Sequence, residues 1–308
     1  MKKRFHSENR RRLAAHMADN EAMLFFGGES LRKSADEDFP FFTNRNFLYL
    51  TGIKQEQSAL LLQKKGDLLS ECLFVTKPNF EQEIWAGRRF TEVEITEISG
   101  VEGIEDIDNL NRTLNELLSF RNVTTLWLCF DALASERSFD IEREFAKHIQ
   151  SRHPHVVIKN CYPLLAKMRK IKAPEEIDAI RKAMQITEAG VRRMMRVAKP
   201  GMMEYELEAE FNSELAAHGQ RRTAFPSIIA GGERIFYLHY ANPMSALAGG
   251  ELILSDVGSV YDEYCTVSRV YFPQTVASAS GRHRYTKLPT RQTGLSWQRC
   301  VQVYSFPS

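Results

Sequence analysis

The sequence predicts an α/β amino-terminal domain followed by an incomplete α+β domain, and three observations carry that prediction. Short apolar runs recur at Met23-Leu24-Phe25-Phe26, Ala59-Leu60-Leu61-Leu62, Leu73-Phe74-Val75, Leu126-Trp127-Leu128 and Val156-Val157-Ile158, each of a length that suits a buried strand. Between them, stretches such as Leu110 to Leu118 and Ile141 to Ile149 place apolar residues at three- and four-residue spacing, as an amphipathic helix does. From Lys172 onward the order changes to two long helical patterns and then short strands with polar groups at their ends.

Taken in order, residues 4 to 17 read as a basic helix with a solvated charged face. Gly27-Gly28 stops the first strand. Asp36, Glu37 and Asp38 read as a solvated acidic turn that Arg45 can pair with, and Trp85 reads as a packing residue. A second unit opens at Lys172-Ala173-Pro174-Glu175-Glu176. Proline suits the first helical turn, where its missing N–H would go unbonded anyway, and glutamates suit the positive end of the helix dipole. That helix is expected to reach Val197, because Lys199-Pro200-Gly201 cannot continue it. A further helix spans Met203 to His218 and stops at Gly219. Then follow Phe225 to Ala230, a Gly231-Gly232 turn, Tyr237-Leu238-His239-Tyr240 and a strand over Glu251 to Ser255 that delivers Asp256. The expected divisions are residues 1–170, 171–273 and a tail over 274–308.

At 308 residues the chain has room for two ordinary domains. Its 41 Lys and Arg against 39 Asp and Glu give no general reason to expect a nucleic-acid or membrane partner. The segment after Arg10-Arg11-Arg12 is too short and polar for a signal-peptide core or a membrane span. The five cysteines are far apart and form no C-x-x-C pair, which points to neither a disulfide framework nor a zinc knuckle and makes the cytoplasm the expected compartment.

Asp256 and His239 are the residues with chemistry to offer. Alone, an Asp before Gly is usually a turn residue, and a His after an apolar Leu is usually structural. Their order along the chain says more. From Lys172 the sequence KAPEEIDAIRKAMQIT, then KPGMMEYELEAEF, LHYAN at 238–242 and GGELILSDVGSVYDEY at 249–264 resembles the pita-bread metallopeptidases, most closely the Xaa-Pro aminopeptidases. The first half, with RRRLAAHM and ADEDFPFFTNRNFLYLTG at 35–52, resembles the creatinase/aminopeptidase P amino-terminal domain. The resemblance covers residues 4 to about 273.

That resemblance implies release of an N-terminal residue before proline, by a water bridging two divalent ions, usually manganese, held by two Asp, one His and two Glu. Hard carboxylate oxygens suit Mn²⁺, and two cations together acidify a water and polarise a carbonyl. Asp256 matches the first Asp ligand, and His239 matches the histidine near the substrate's proline. The second Asp is expected three residues before Arg269, and Thr266 holds that place. The remaining His and Glu ligands have no counterpart in the chain. The resemblance also implies a proline-containing peptide as substrate and association of identical subunits.

After Pro273 the sequence has neither helical nor strand period. Restoring one base, so that an aspartate codon stands between those for Thr266 and Val267, converts the observed TVSRVYFPQTVASASGRHRYT into TDVSRVFPANGRFSERQTQIYE, which resembles the family throughout. The tail is therefore expected to be out of frame and disordered, the Leu252-Ile253-Leu254 strand to lack cover, and the chain to be inactive. A non-catalytic binding or scaffold protein of the same fold is the alternative from another class; a creatinase-like hydrolase is a third.

Overall fold

The computed structural model describes residues 1–79, 81, 83–84, 87–130 and 140–273. Trp85 and the tail over 274–308 lie outside the described residues. The chain divides into two compact units, with the boundary between Asp178 and Ala179.

The first unit is a six-stranded mixed sheet. Its strands are β1 (Glu21–Phe26), β2 (Ser58–Lys65), β3 (Leu68–Val75), β4 (Gly103–Asp106), β5 (Thr125–Leu128) and β6 (Val157–Asn160), in the order β4-β3-β2-β1-β5-β6. The alternation of strand and helix in the sequence is met by a sheet of mixed direction. The β3–β4, β1–β5 and β5–β6 pairs are parallel, but β1, β2 and β3 run antiparallel. The short connection between Lys65 and Leu68 allows only a hairpin, since a parallel crossover needs a dozen residues or more.

All six residues of β1 are buried, which is the expected state of a strand with helices on both faces. The pleat sends Met23 and Phe25 to one side, where they meet Phe5 and Leu13 of α1 (Lys3–Ala14), Phe47 of α2 (Arg45–Thr51) and Ile95 of α3 (Glu92–Ser99). Ala22, Leu24 and Phe26 go to the other, against Leu114 and Leu117 of α4 (Leu110–Phe120) and Ile149 of α5 (Ile141–Arg152). Leu165 of α6 (Tyr162–Lys170) closes the first of these two cores.

The basic start is not wholly a solvated face. Arg10 is fully buried, and its guanidinium donates to Leu50 O at 2.8 Å, Ser99 O at 2.9 Å and Glu71 Oε2 at 2.8 Å. It ties α1 to the ends of α2 and α3 and to β3, a role that charge counting cannot distinguish from solubility. Arg45 stands over the Phe42 ring at 3.5 Å, and the acidic turn is an exposed loop in which Lys33 pairs with Glu37.

The second unit begins within α7 (Pro174–Val197) and continues through α8 (Glu204–Ala217), with Gly219 left-handed (φ 75°) just past its end. Three antiparallel strands follow in the order β11-β8-β7: β7 (Ile228–Gly231), β8 (Leu252–Val257) and β11 (Ser268–Pro273). A two-stranded ribbon, β9 (Val260–Tyr261) with β10 (Tyr264–Cys265), lies between β8 and β11 in sequence. Ile253, Val257, Ile229 and Phe272 pack with Ile186 and Met194 of α7 and Phe211 of α8. The expectation that Leu252-Ile253-Leu254 would lack cover is wrong. Strand β8 is central, with both edges paired, and Ile253 and Leu254 are buried. The strand that covers one edge is β11 itself, whose sequence begins two residues beyond Thr266.

Candidate metal-ligand and substrate site

The polypeptide from Leu252 to Pro273 is one antiparallel hairpin in unbroken register. Leu252 is opposite Pro273 at the open end, Asp256 is opposite Arg269, and Tyr261 is opposite Tyr264 at the turn. Asp262 and Glu263 make that turn, both at positive φ (46° and 68°), as a two-residue type I′ loop requires. Gly258 makes the hairpin possible, because a Cβ there would collide with the carbonyl of Thr266.

Asp256 lies inside β8 rather than at its end, and it is buried. Its Oδ2 accepts from Arg269 Nε at 2.8 Å and also from Nη2. Its Oδ1 is buried with no hydrogen-bond partner among the described residues. A buried carboxylate oxygen left bare costs on the order of 1–3 kcal/mol, so this atom is a place for a donor or a cation.

Thr266 is not placed to help Asp256. The neighbour of Asp256 in β8, Ser255, turns toward Met194 of α7, so Asp256 projects from the other face of the strand. Thr266 is on the α7 side. Its Oγ1 is 2.8 Å from Thr187 Oγ1, and Thr187 Oγ1 donates to Ser259 Oγ at 3.0 Å while Ser259 Oγ donates to Ala183 O at 2.8 Å. Counting from Arg269 finds Thr266 in the sequence place of the second carboxylate, but the hairpin commits its side chain to a buried hydroxyl cluster.

His239 is in an exposed turn, not partly buried, and makes no hydrogen bond among the described residues. Gly231-Gly232 does not simply reverse the chain; it opens a 3₁₀ turn over Gly232–Phe236. Phe236, Tyr237 and Leu238 are exposed beside it, and the Tyr237 and Tyr240 rings stack with centroids 6.5 Å apart. Sequence reading missed Glu204 altogether. It is fully buried at the start of α8, and its carboxylate accepts from Gly231 N–H (2.9 Å), Arg234 Nε (2.8 Å), Tyr240 Oη (2.9 Å) and Ser245 N–H (3.1 Å). A glutamate in the first turn of a helix looks like dipole chemistry in a sequence, so nothing there distinguishes it from Glu206.

The described residues do not fit a dinuclear manganese centre. Asp256 offers one bare oxygen beside a guanidinium, and among the described residues no group of three or more His, Cys, Asp or Glu side chains is gathered to hold a cation. A dication taken out of water needs several hard oxygen ligands.

The chain is thus a mixed-sheet α/β domain followed in sequence by a helix-covered antiparallel sheet whose hairpin carries a half-bare carboxylate. The aminopeptidase P N-terminal domain model matches residues 6–127, and the metallopeptidase family M24 model matches residues 178–288. The chain belongs to the aminopeptidase P family of M24 metallopeptidases. The Xaa-Pro aminopeptidase of Escherichia coli is 30% identical over 260 residues, which are 83% of this chain and 58% of that protein. A Bacillus anthracis structure described as an aminopeptidase P is 33% identical with a TM-score of 0.86, over 89% of this chain and 66% of that one. The E. coli aminopeptidase P solved with the inhibitor Pro-Leu has a TM-score of 0.80 at 27% identity, over 89% and 63%. The chain thus spans roughly 60% of the length of these relatives. The M24 match runs to residue 288, past Pro273, where the sequence reading ended the resemblance.

Proposed function

We propose that this chain carries the substrate-facing part of an Xaa-Pro aminopeptidase, a hydrolase that releases the N-terminal residue of peptides with proline in second place, and that the chain as given does not turn over. The observation that carries the proposal is the pair of groups on the second unit: a buried carboxylate with one bare oxygen, Asp256, and an exposed imidazole, His239, on a pinned loop. His239 would contact the peptide near its proline, with the exposed Phe236, Tyr237 and Leu238 supplying apolar surface for the pyrrolidine ring.

Manganese is the metal this reading implies, and Asp256 would be its one ligand among the described residues. A single carboxylate shared with Arg269 leaves two dications without the oxygens that compensate for their dehydration. The cytoplasm is the compartment this reading takes, supported by Cys72, Cys129, Cys161 and Cys265, all of which are free thiols. No helix among the described residues is long and apolar enough to cross a membrane.

The test is hydrolysis of an Xaa-Pro peptide by the purified chain with and without Mn²⁺. No manganese-dependent release of the first residue is expected. Stimulated turnover would overturn the inactivity, and binding of a proline peptide that ignores His239 would overturn the substrate role.

A further inference from the structure

The four donors to Glu204 come from residue 231, which ends β7, and from residues 234, 240 and 245 on the single excursion from there to β8. His239 is on that excursion, next to Tyr240. The backbone supports the same arrangement: Glu204 N–H donates to Ser245 O at 3.0 Å, and Leu247 N–H donates to Met202 O at 2.9 Å. Arg234 adds a bond from Nη2 to Ala246 O at 3.3 Å, so one guanidinium links Glu204 to the returning strand of the loop. A fully buried carboxylate with all its acceptor positions engaged from one loop is a pin, since charge-assisted bonds in a dry setting are the strong ones.

We infer that Glu204 is the positioning residue for His239: it fixes both ends of the loop and, through the Tyr240 hydroxyl, the residue beside the imidazole. The inference rests on the reading of His239 as a substrate contact and gives an exposed side chain, which makes no hydrogen bond among the described residues, an anchored backbone on which to stand. Tyr240 carries the link. Its hydroxyl is anchored to Glu204 at 2.9 Å and its ring faces that of Tyr237, so the hydrogen bond and the ring contact bracket Leu238-His239. The peptide would meet a loop whose ordering cost is already met, and pre-organisation of this kind raises affinity without a new contact.

The experiment is histidine-labelled NMR on the 308-residue chain, with the His239 resonance assigned by its loss in His239→Ala. Wild type is expected to show one narrow His239 signal. Glu204→Gln is expected to shift or split it and to lower hydrogen-exchange protection at Gly231 and Ser245 by about tenfold or more. Tyr240→Phe removes only the link beside the histidine and serves where Glu204→Gln fails to fold; it is expected to move His239 as well. His218 at the end of α8, bonded through Nδ1 to Glu214 O, is the internal control and stays in place. A clamp with a purely structural role would lower amide protection while His239 stays unmoved in Tyr240→Phe, and that result overturns the inference. Titration of wild type with an alanyl-proline dipeptide separates the two readings. A dipeptide that leaves His239 unmoved sinks the substrate reading alone, because the clamp is read in the free protein.

Discussion

The two sheets treat their buried charges in opposite ways. In the first unit Glu21 is buried with both oxygens engaged: it accepts from Ala18 N–H at 2.9 Å, Trp127 Nε1 at 2.8 Å and Lys159 Nζ at 2.6 Å. Burial works to raise its pKa, yet the bonds from Lys159, Ala18 and Trp127 outweigh burial and hold it below the usual carboxylate range. In the second unit Asp256 is equally buried, but it has one partner residue and a bare Oδ1. A carboxylate with both oxygens engaged is part of the scaffold. One left half-bare, in a unit that saturates Glu204 elsewhere, keeps an acceptor oxygen that no described residue uses.

The largest expected effect tests whether the smaller sheet depends on its single core. Phe211 is fully buried against α7, so close that a Cβ on Gly190 would overlap its ring. Phe211→Ala is expected to cost about 3–5 kcal/mol in denaturant unfolding of the second unit, and a loss under 1 kcal/mol would show that the unit has other support. Next comes Thr266→Asp, which puts a carboxylate among Thr187, Ser259 and the Ala183 carbonyl. It is expected to cost about 2–4 kcal/mol, as burying a charge without a cationic partner does. It is also expected to gain no stabilisation from Mn²⁺ in a melting assay, because the side chain faces away from Asp256. A manganese-dependent rise in Tm would break that geometry.

A direct comparison of the two carboxylates is the third prediction. Glu21→Gln disturbs three donors and is expected to cost roughly 2–3 kcal/mol, whereas Asp256→Asn disturbs one half-exposed arginine and is expected to cost roughly 1 kcal/mol. Equal costs would mean that Oδ1 is not bare in solution. The smallest effect concerns pH. Glu94 closes a capping box with Thr91 at the start of α3. The Thr91 N–H above all, with Arg88 and the Thr91 hydroxyl, holds its carboxyl down at about 2, from an ordinary 4.5. A depressed folded-state pKa contributes stability that is present above 4.5 and lost as pH falls toward about 2. Carbon NMR of the Glu94 carboxyl should therefore titrate near 2; a midpoint in the ordinary range would remove the cap from the account.

Much of the first unit is legible in the sequence, because its central strands β1 and β5 are largely buried and read as short apolar runs, whereas β4 (Gly103–Asp106), without a buried residue, carries no such run. What stayed hidden there is a question of partners. Arg10 looks like any basic residue, and only the approach of Leu50, Ser99 and Glu71 turns it into a core group. In the second unit the helices over 174–197 and 204–217 follow from Pro174, Lys199-Pro200-Gly201 and Gly219, since caps and breakers act over a few residues.

By itself, then, the sequence determined what short-range physics determines: the central strands of the first unit, the limits of the two helices after Lys172 and the family resemblance, which singles out Asp256 and His239 as candidates. Tertiary structure alone decided which face each of them serves. Residue spacing put Thr266 in the place of a ligand, while the register that sets Asp256 opposite Arg269 turns Thr266 toward Thr187. The same holds for Glu204, whose role depends on donors up to 41 residues away. A strand's side chains alternate with a period of two, so a site's composition is settled by pairing register and long-range contact, which no local pattern encodes.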